Sequence, residues 1–398
     1  MSLHTSRVTR NLFPLSEAST RCTVSTKIQV PFRPELRGSC IGFAAFPGCF
    51  SQIVHFSMYI VCLPNMHIAH LSTIFVLALS ANGIPTRPSG SKPPYLPKRL
   101  LALEEHCTSP SLEAEVVAEG ITQRYPGILE KLKDIGTGRI AAMDAGHLTM
   151  QVLSQQSASG LEDPEGCRAA NDAVGSVIKS KPKRFAGFAV PHVTTLGLKG
   201  AMIWNHLKDG TYYDALRFDP VFAMAQELDV PLYLHPAAAT ADIASKLFAG
   251  NYPAAVAGRL GTNSWGWHVD VGTQILRLYS AGLFDRFPKL KLIIGHNGEG
   301  LPMFIDRVDS TGLRNDTTFN RVWSTNIWST TSAFFTVRQF EQLRQVSPVD
   351  GIMFSIDYPF SRNTDGWAFV EKLAQAQVLS DENMDMFAYK NAEKLLKL

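Results

Sequence analysis

Cysteine is scarce where a disulfide scaffold would need it. Four of the six cysteines (Cys22, Cys40, Cys49 and Cys62) fall in the first hundred residues, leaving only Cys107 and Cys167 beyond. Two cysteines in that length make no disulfide framework, and no CxxC pair offers a structural zinc site. Acids are nearly absent from residues 1–100, where ten Lys and Arg face only Glu17 and Glu35. Removing these from the totals of 38 basic and 35 acidic residues leaves 28 and 33 beyond position 100, a balance of −5. The basic overall charge therefore belongs to the leader. The body has no basic stripe, which excludes nucleic acid as a partner. No apolar run reaches the ~20 residues of a membrane helix.

The first hundred residues differ in kind from the rest. Residues 1–37 are rich in Ser, Thr and Arg (Ser2, Thr5, Ser6, Arg7, Thr9, Arg10) and resemble an organelle transit peptide. Between Arg37 and Arg87 there is no charged side chain, and two apolar runs, Ile53–Pro64 and Ile68–Ala81, are split by Asn65, Met66 and His67. Counted from Met66, Leu71–Leu79 reads as the apolar part of a secretory signal and Ser80-Ala81-Asn82-Gly83 as its cleavage neighbourhood, although no positive charge precedes it. Three readings stand. The segment is an extension outside the folded body of a cytoplasmic protein, an anchor over residues 38–86, or a secretion signal over 53–81. Residues 83–98, with Pro85, Pro88, Pro93, Pro94 and Pro97, read as a stiff linker. The expected division is an N-terminal extension over 1–98 and a catalytic body over 99–398.

The body alternates short apolar or β-branched runs with amphipathic segments. The runs are Leu100–Glu104, Thr149–Ser154, Arg184–Val190, Lys199–Trp204, Val230–His235, Leu290–His296, Asn326–Thr331 and Gly351–Asp357. Helical patterns fall between them, at Ala169–Ser180, Asp219–Leu228, Gly272–Ala281, Val337–Gln345 and Asp365–Gln377. Eight apolar strands alternating with helices predict an α/β fold, a (β/α)8 TIM barrel. One crossover breaks the pattern. Only Pro191–Leu198 separate the third and fourth strands, and a helical crossover needs about a dozen residues. The expectation is a shortened crossover that has lost its helix.

Acids and histidines fall at the C-terminal ends of these strands, where barrel chemistry resides. The first strand ends in Glu104-Glu105-His106, and alternation puts Glu104 and His106 on one side. The fifth ends in His235, the sixth in His296 and the eighth in Asp357. A lone His after a strand is usually structural, and Asp357 alone could cap a turn. Four such ends in one eight-strand register point to a divalent metal site drawn from Glu104, His106, His235, His296 and Asp357, suited to zinc, manganese or iron. Trp265-Gly266-Trp267-His268 could line the mouth for a flat substrate, with a packing role equally open. His147, His192 and His206 read as surface or loop residues, and Asp144 as part of a helix before the second strand.

Leu103-Glu104-Glu105-His106, Tyr233-Leu234-His235-Pro236, Gly282–Pro288, Ile294-Gly295-His296-Asn297-Gly298-Glu299, Asp357-Tyr358-Pro359-Phe360 and the closing Asn391–Leu395 together resemble the amidohydrolase-related decarboxylases. That group includes γ-resorcylate, 2,3-dihydroxybenzoate, salicylate and aminocarboxymuconate semialdehyde decarboxylases. The resemblance covers about residues 99–398. It implies Glu104, His106, His235 and Asp357 as ligands of one Zn2+ or Mn2+. It also implies His296 and Glu299 as a catalytic pair, with Asp357 as general acid, and Arg307 near the substrate, beside the mouth residues Trp267 and His268. Glu-x-His in the first strand resembles the aromatic-acid branch, whereas His-x-His marks many hydrolases. The implied activity is non-oxidative decarboxylation of a hydroxylated aromatic acid by a homo-oligomer, a dimer or tetramer. Two departures stand out: the short third crossover, and a compact stretch after His106 where relatives carry substrate-contacting aromatics. Two other readings remain at this stage: a hydrolase of a lactone or amide on the same fold, and a degenerate barrel with a binding role.

Overall fold

The computed structural model describes residues 93–156, 163–190 and 196–398. The transit-like, anchor and signal readings of residues 1–92 lie outside the described residues, as does His192. Among the described residues, no helix is long and apolar enough to cross a membrane. The chain divides at Ile84/Pro85. From Pro93 onward it packs against the body: the Tyr95 hydroxyl donates to Asp385 Oδ1 at 2.8 Å, and Arg99 pairs with Glu393.

Among the described residues eight strands form, in the expected order: β1 Leu101–Cys107, β2 Met150–Gln155, β3 Phe185–Gly187, β4 Ala201–Trp204, β5 Leu232–His235, β6 Leu292–Ile294, β7 Ile327–Thr330 and β8 Ile352–Met353. All neighbouring pairs are parallel. Single parallel bridges join the three-stranded and five-stranded sections, Ala189 with Ala201 and Glu105 with Tyr358, and so close the barrel. The expected helices form over Pro164–Ser180, Asp219–Glu227, Gly266–Ser280, Val337–Val346 and Asn363–Ala376. Gly266–Ser280 begins a turn and a half earlier than its apolar periodicity suggests, which brings Trp267, His268 and Asp270 into its first turns.

The described part of the third crossover, 188–190 and 196–200, contains no helix. Lys199 N donates to Gly187 O at 2.9 Å and Met202 N to Ala189 O at 3.0 Å, so the chain returns almost directly into β4. Leu198 is buried, and Leu196 lies against Gly175 of the helix Pro164–Ser180. Leu198 packs beside Gly187 of β3, next to Val174 and Ile178 of that helix.

The apolar residues form two layers. Leu100, Ala102, Leu232, Leu234, Leu292, Ile294 and Phe354 face outward to the helices. Leu101, Leu103, Met150, Val152, Met202, Tyr233, Ile293 and Met353 fill the interior, closed below by Leu395 and Leu396 of the last helix. In β1 this alternation changes phase. Ala102 pairs with Gln151 and Glu105 with Leu153, so β1 carries one extra residue there, a bulge. Leu101 and Leu103 point inward below it; above it Glu104 and His106 do. Without the bulge, strict alternation would have aimed Glu105 at the mouth.

Candidate active site

Glu104, His106 and His235 meet at the top of the barrel, all buried, with one potential ligand atom from each within 4.8 Å of the others. His235 Nε2 lies 3.3 Å from Glu104 Oε1 and His106 Nε2 lies 3.9 Å from it. The His235 ring is fixed by its Nδ1, which donates to the Pro236 carbonyl at 2.9 Å and leaves the Nε2 lone pair facing the cluster. Glu104 is fixed by the Tyr233 hydroxyl, which donates to Oε2 and itself contacts Thr330 Oγ1 at 2.7 Å. Gly295 sits beside this carboxylate, and a Cβ there would stand 2.6 Å from Glu104 Oε2. Asp357 joins through His106, its Oδ1 3.2 Å from Nε2.

His296 belongs to a neighbouring cluster with Glu299 and His268. Its Nδ1 donates to Glu299 Oε1 at 2.8 Å, and its Nε2 lies 4.0 Å from Glu104 Oε1. The other Glu299 oxygen accepts from His268 Nδ1 at 2.6 Å, while His268 Nε2 meets the Asn263 carbonyl at 3.1 Å. His296, Asn297, Glu299 and Asp357 all have left-handed φ, between 50° and 68°. Such backbone is costly for non-glycine residues and collects at functional sites.

Charge is divided between the two clusters. Burial, and for His235 also the neighbouring His106 ring, depress the pKa of His106 and His235 to about 4, so both rings are neutral donors. Burial also disfavours the His296 imidazolium, but the Glu299 and Glu104 carboxylates outweigh it and raise its pKa to about 10. Glu299 is held near 2 against its burial by His296 and His268. Burial and the nearby Glu104 raise Asp357 to about 8. Glu104 is pulled below its usual range because three surrounding histidines outweigh its burial.

The fit to a divalent cation rests on two atoms. Glu104 Oε1 and His106 Nε2 are buried and have no hydrogen-bond partner. Orphaned buried acceptors are costly, and a carboxylate with two neutral imidazoles is a donor set that zinc or manganese completes.

Above this cluster opens a cavity of about 620 Å³, lined by His235, His296, Asp357, Trp204, Trp267 and Phe334 among others. Tyr125 and Phe360 stack edge-on at 5.3 Å in its wall, so the compact stretch after His106 still delivers an aromatic side chain. Three expectations need correction. Arg307 lies on the exposed face of Ile305–Ser310 and does not reach the cavity of its own chain. His268 lines the cavity, but both ring nitrogens are engaged, so it orients Glu299 and has none left for a substrate. His206 is a loop residue as expected, but it is buried in the cavity wall and paired with Asp270 at 3.2 Å. His147 is exposed, and Asp144 sits on the helix Thr137–Ala145 with Arg184, both as read from the sequence.

Sequence reasoning also missed the layer beneath the ligands. Glu105 accepts from Ile356 N at 3.0 Å and Gln151 Nε2 at 2.9 Å, and burial raises its pKa well above the usual carboxyl range. Arg139, fully buried, donates to the carbonyls of Asp134 and His106. The signal was available in the doubled acid Glu104-Glu105, since only one member can face the interior.

A closed eight-stranded barrel with a Glu-His-His cluster and a neighbouring Asp at its strand ends defines a metal-dependent barrel enzyme. The sequence pattern of the amidohydrolase family matches residues 124–398, and the chain belongs to that family. It is 39% identical over 323 residues to decarboxylase orsB of Emericella nidulans, covering 75% of this chain and 97% of that one. It is 28% identical over 331 residues to the γ-resorcylate decarboxylase of Polaromonas sp., covering 75% and 98%. Its fold matches the crystal structure of a dihydroxybenzoic acid decarboxylase from Polaromonas sp. with bound manganese and the inhibitor 2-nitroresorcinol. That match has a TM-score of 0.67 at 26% identity, over 76% of this chain and 97% of the other.

Proposed function

We propose that residues 99–398 form a metal-dependent, non-oxidative decarboxylase of a hydroxylated aromatic carboxylic acid, a carboxy-lyase. The observation that carries this reading is the orphaned pair Glu104 Oε1 and His106 Nε2, clustered with His235 and Asp357, which line an aromatic-walled cavity. Similarity to the γ-resorcylate and dihydroxybenzoic acid decarboxylases supports the substrate class. Glu104, His106, His235 and Asp357 would hold the ion, Mn2+ by analogy with that structure or Zn2+ by donor set. A bound divalent ion supplies a Lewis acid that orients a carboxylate and its ortho oxygen.

The remaining work falls to side chains. Asp357 borders the cavity and delivers a proton to the ring carbon that carries the carboxylate. The C–C bond then breaks, its electron pair restores the aromatic ring, and carbon dioxide leaves. His296, held as an imidazolium by Glu299 and Glu104, orients the substrate's negative oxygens. Trp267, half-buried in the wall with its indole N–H unpartnered, offers the ring a flat surface and one donor.

A homo-oligomer in the cytoplasm is the assembly and location we favour, with an anchored form if residues 38–86 act as an anchor and a secreted one if residues 53–81 act as a signal. Arg307, exposed on its own subunit, fits such an assembly better than the cavity of its own chain. The test combines elemental analysis with product analysis. About one manganese or zinc per chain, lost in His235→Ala, together with carbon dioxide release from hydroxybenzoates, is the expected result. Ring-opened or hydrolysed products would replace this reading with the hydrolase one, and no metal uptake would leave a binding barrel.

A further inference from the structure

Among the described residues, the rim of the barrel between the ends of β1 and β5 carries no metal ligand, yet two buried polar side chains there line the cavity, each with a polar atom that makes no hydrogen bond. Gln156, immediately after β2, is 3% exposed, and its Oε1 has no hydrogen-bond partner. His206, two residues after β4, is 4% exposed. Its Nδ1 donates to the Leu207 carbonyl at 2.7 Å, and its Nε2 faces Asp270 Oδ2 at 3.2 Å as an ion pair without a hydrogen bond. Asp270 is built into place: it accepts from Asn205 Nδ2 at 2.7 Å and from the Tyr212 hydroxyl. Asn205 in turn accepts from Ala237 N at 2.6 Å, which ties this group to the loop after β5. A fold that leaves buried polar atoms unpaired carries a cost, and a ligand in the cavity removes it.

We propose that Gln156 and His206 form a second polar subsite, which selects aromatic acids bearing a hydroxyl on the ring edge remote from the carboxylate. This rests on the reading of the cavity as an aromatic-acid site. A ring whose carboxylate and ortho oxygen face the ligands on β1, β5 and β8 turns its other edge toward the remaining wall. A phenolic hydroxyl there matches both groups: its O–H donates to Gln156 Oε1, and its oxygen accepts from His206 Nε2–H. Burial disfavours the charged ring, but Asp270 and the Leu207 carbonyl outweigh it and raise the His206 pKa, which favours a proton on that nitrogen. The same cavity wall carries Ala118, Ile121, Tyr125 and Phe334 together with Arg124 and the Lys208–Glu115 ion pair at 2.5 Å.

The experiment is calorimetric titration of the manganese-loaded full chain with salicylate and with 2,4-dihydroxybenzoate, repeated on Gln156→Met and His206→Gln, with kcat/KM in parallel. Wild type should favour the dihydroxylated acid by about tenfold to a hundredfold, because the acid lacking the hydroxyl leaves Gln156 Oε1 without a donor and His206 Nε2 with only its Asp270 ion pair. Each variant should shrink that preference to about twofold or less while salicylate affinity stays unchanged. A preference that survives both variants, or a wild type with none, overturns the subsite and leaves the aromatic-acid reading intact. Failure of wild type to bind either acid removes the aromatic-acid reading and the subsite together. If one variant fails to melt cooperatively, the other decides.

Discussion

The two ends of this barrel interior obey opposite rules. At the floor, Leu101, Leu103, Met150, Val152, Ile293 and Met353 meet Leu395 and Leu396 with every residue apolar and buried. At the mouth, one pleat higher on the same strands, the interior positions are Glu104, His106, His235 and Gly295, and the backbone at His296 and Asp357 is left-handed. Tyr233 stands between the two, its ring packed in the floor and its hydroxyl on Glu104. Stability is concentrated where nothing reacts, which lets the mouth tolerate orphaned acceptors and strained turns.

The most severe way to break this division is at Asp357. Asp357→Asn should lower kcat/KM by about a thousandfold or more, while the melting temperature moves little. Metal content measured alongside separates lost proton delivery from lost metal, and full activity would remove Asp357 from the chemistry.

Leu103→Ala cuts the floor instead. It should cost about 2–5 kcal/mol in urea unfolding, with manganese affinity of the folded fraction unchanged. A change in metal affinity without lost stability would show that the two ends are not separate.

Tyr233→Phe tests the boundary. Removing only the hydroxyl leaves the floor packed but frees Glu104, so metal affinity should fall about 10–100-fold with a small stability change. An unchanged metal affinity would show that packing alone orients Glu104.

The smallest effect lies outside the barrel. Asp229 bonds Lys291 at 2.5 Å and Lys397 at 2.6 Å, and these lysines lower its pKa to about 2. A depressed carboxylate contributes stability above its unfolded pKa, which disappears as pH falls from about 3.8 toward 2. Because the group is exposed, Asp229→Asn should cost less than about 1 kcal/mol at neutral pH, and the difference from wild type should vanish near pH 2 in thermal melts.

Much of the site was legible because strand ends are local features. A run such as Tyr233-Leu234-His235-Pro236 carries its own signals of strand, terminus and ligand, and so does Ile294-Gly295-His296. The short third crossover was equally plain from eight intervening residues. Features built from distant segments left little local trace. His206 read as a surface or loop residue because its partner Asp270 lies on the helix Gly266–Ser280, far along the chain. His268 looked like a mouth residue because its bond to Glu299 joins two turns that share no periodicity. Arg307 was placed by likeness, and only the packing of its helix showed which way it faces.

The sequence by itself determined the barrel, its eight strands and the chemical types at its mouth, because alternation and strand-end residues are written in consecutive positions. Tertiary structure alone decided how Glu104 and His106 come to share the inner face with Leu101 and Leu103, since one extra residue in β1 reverses the phase of alternation. It also decided which histidines are neutral donors and which is a cation. Protonation depends on burial and on carboxylates brought in from other strands, and neither is a property of the local chain.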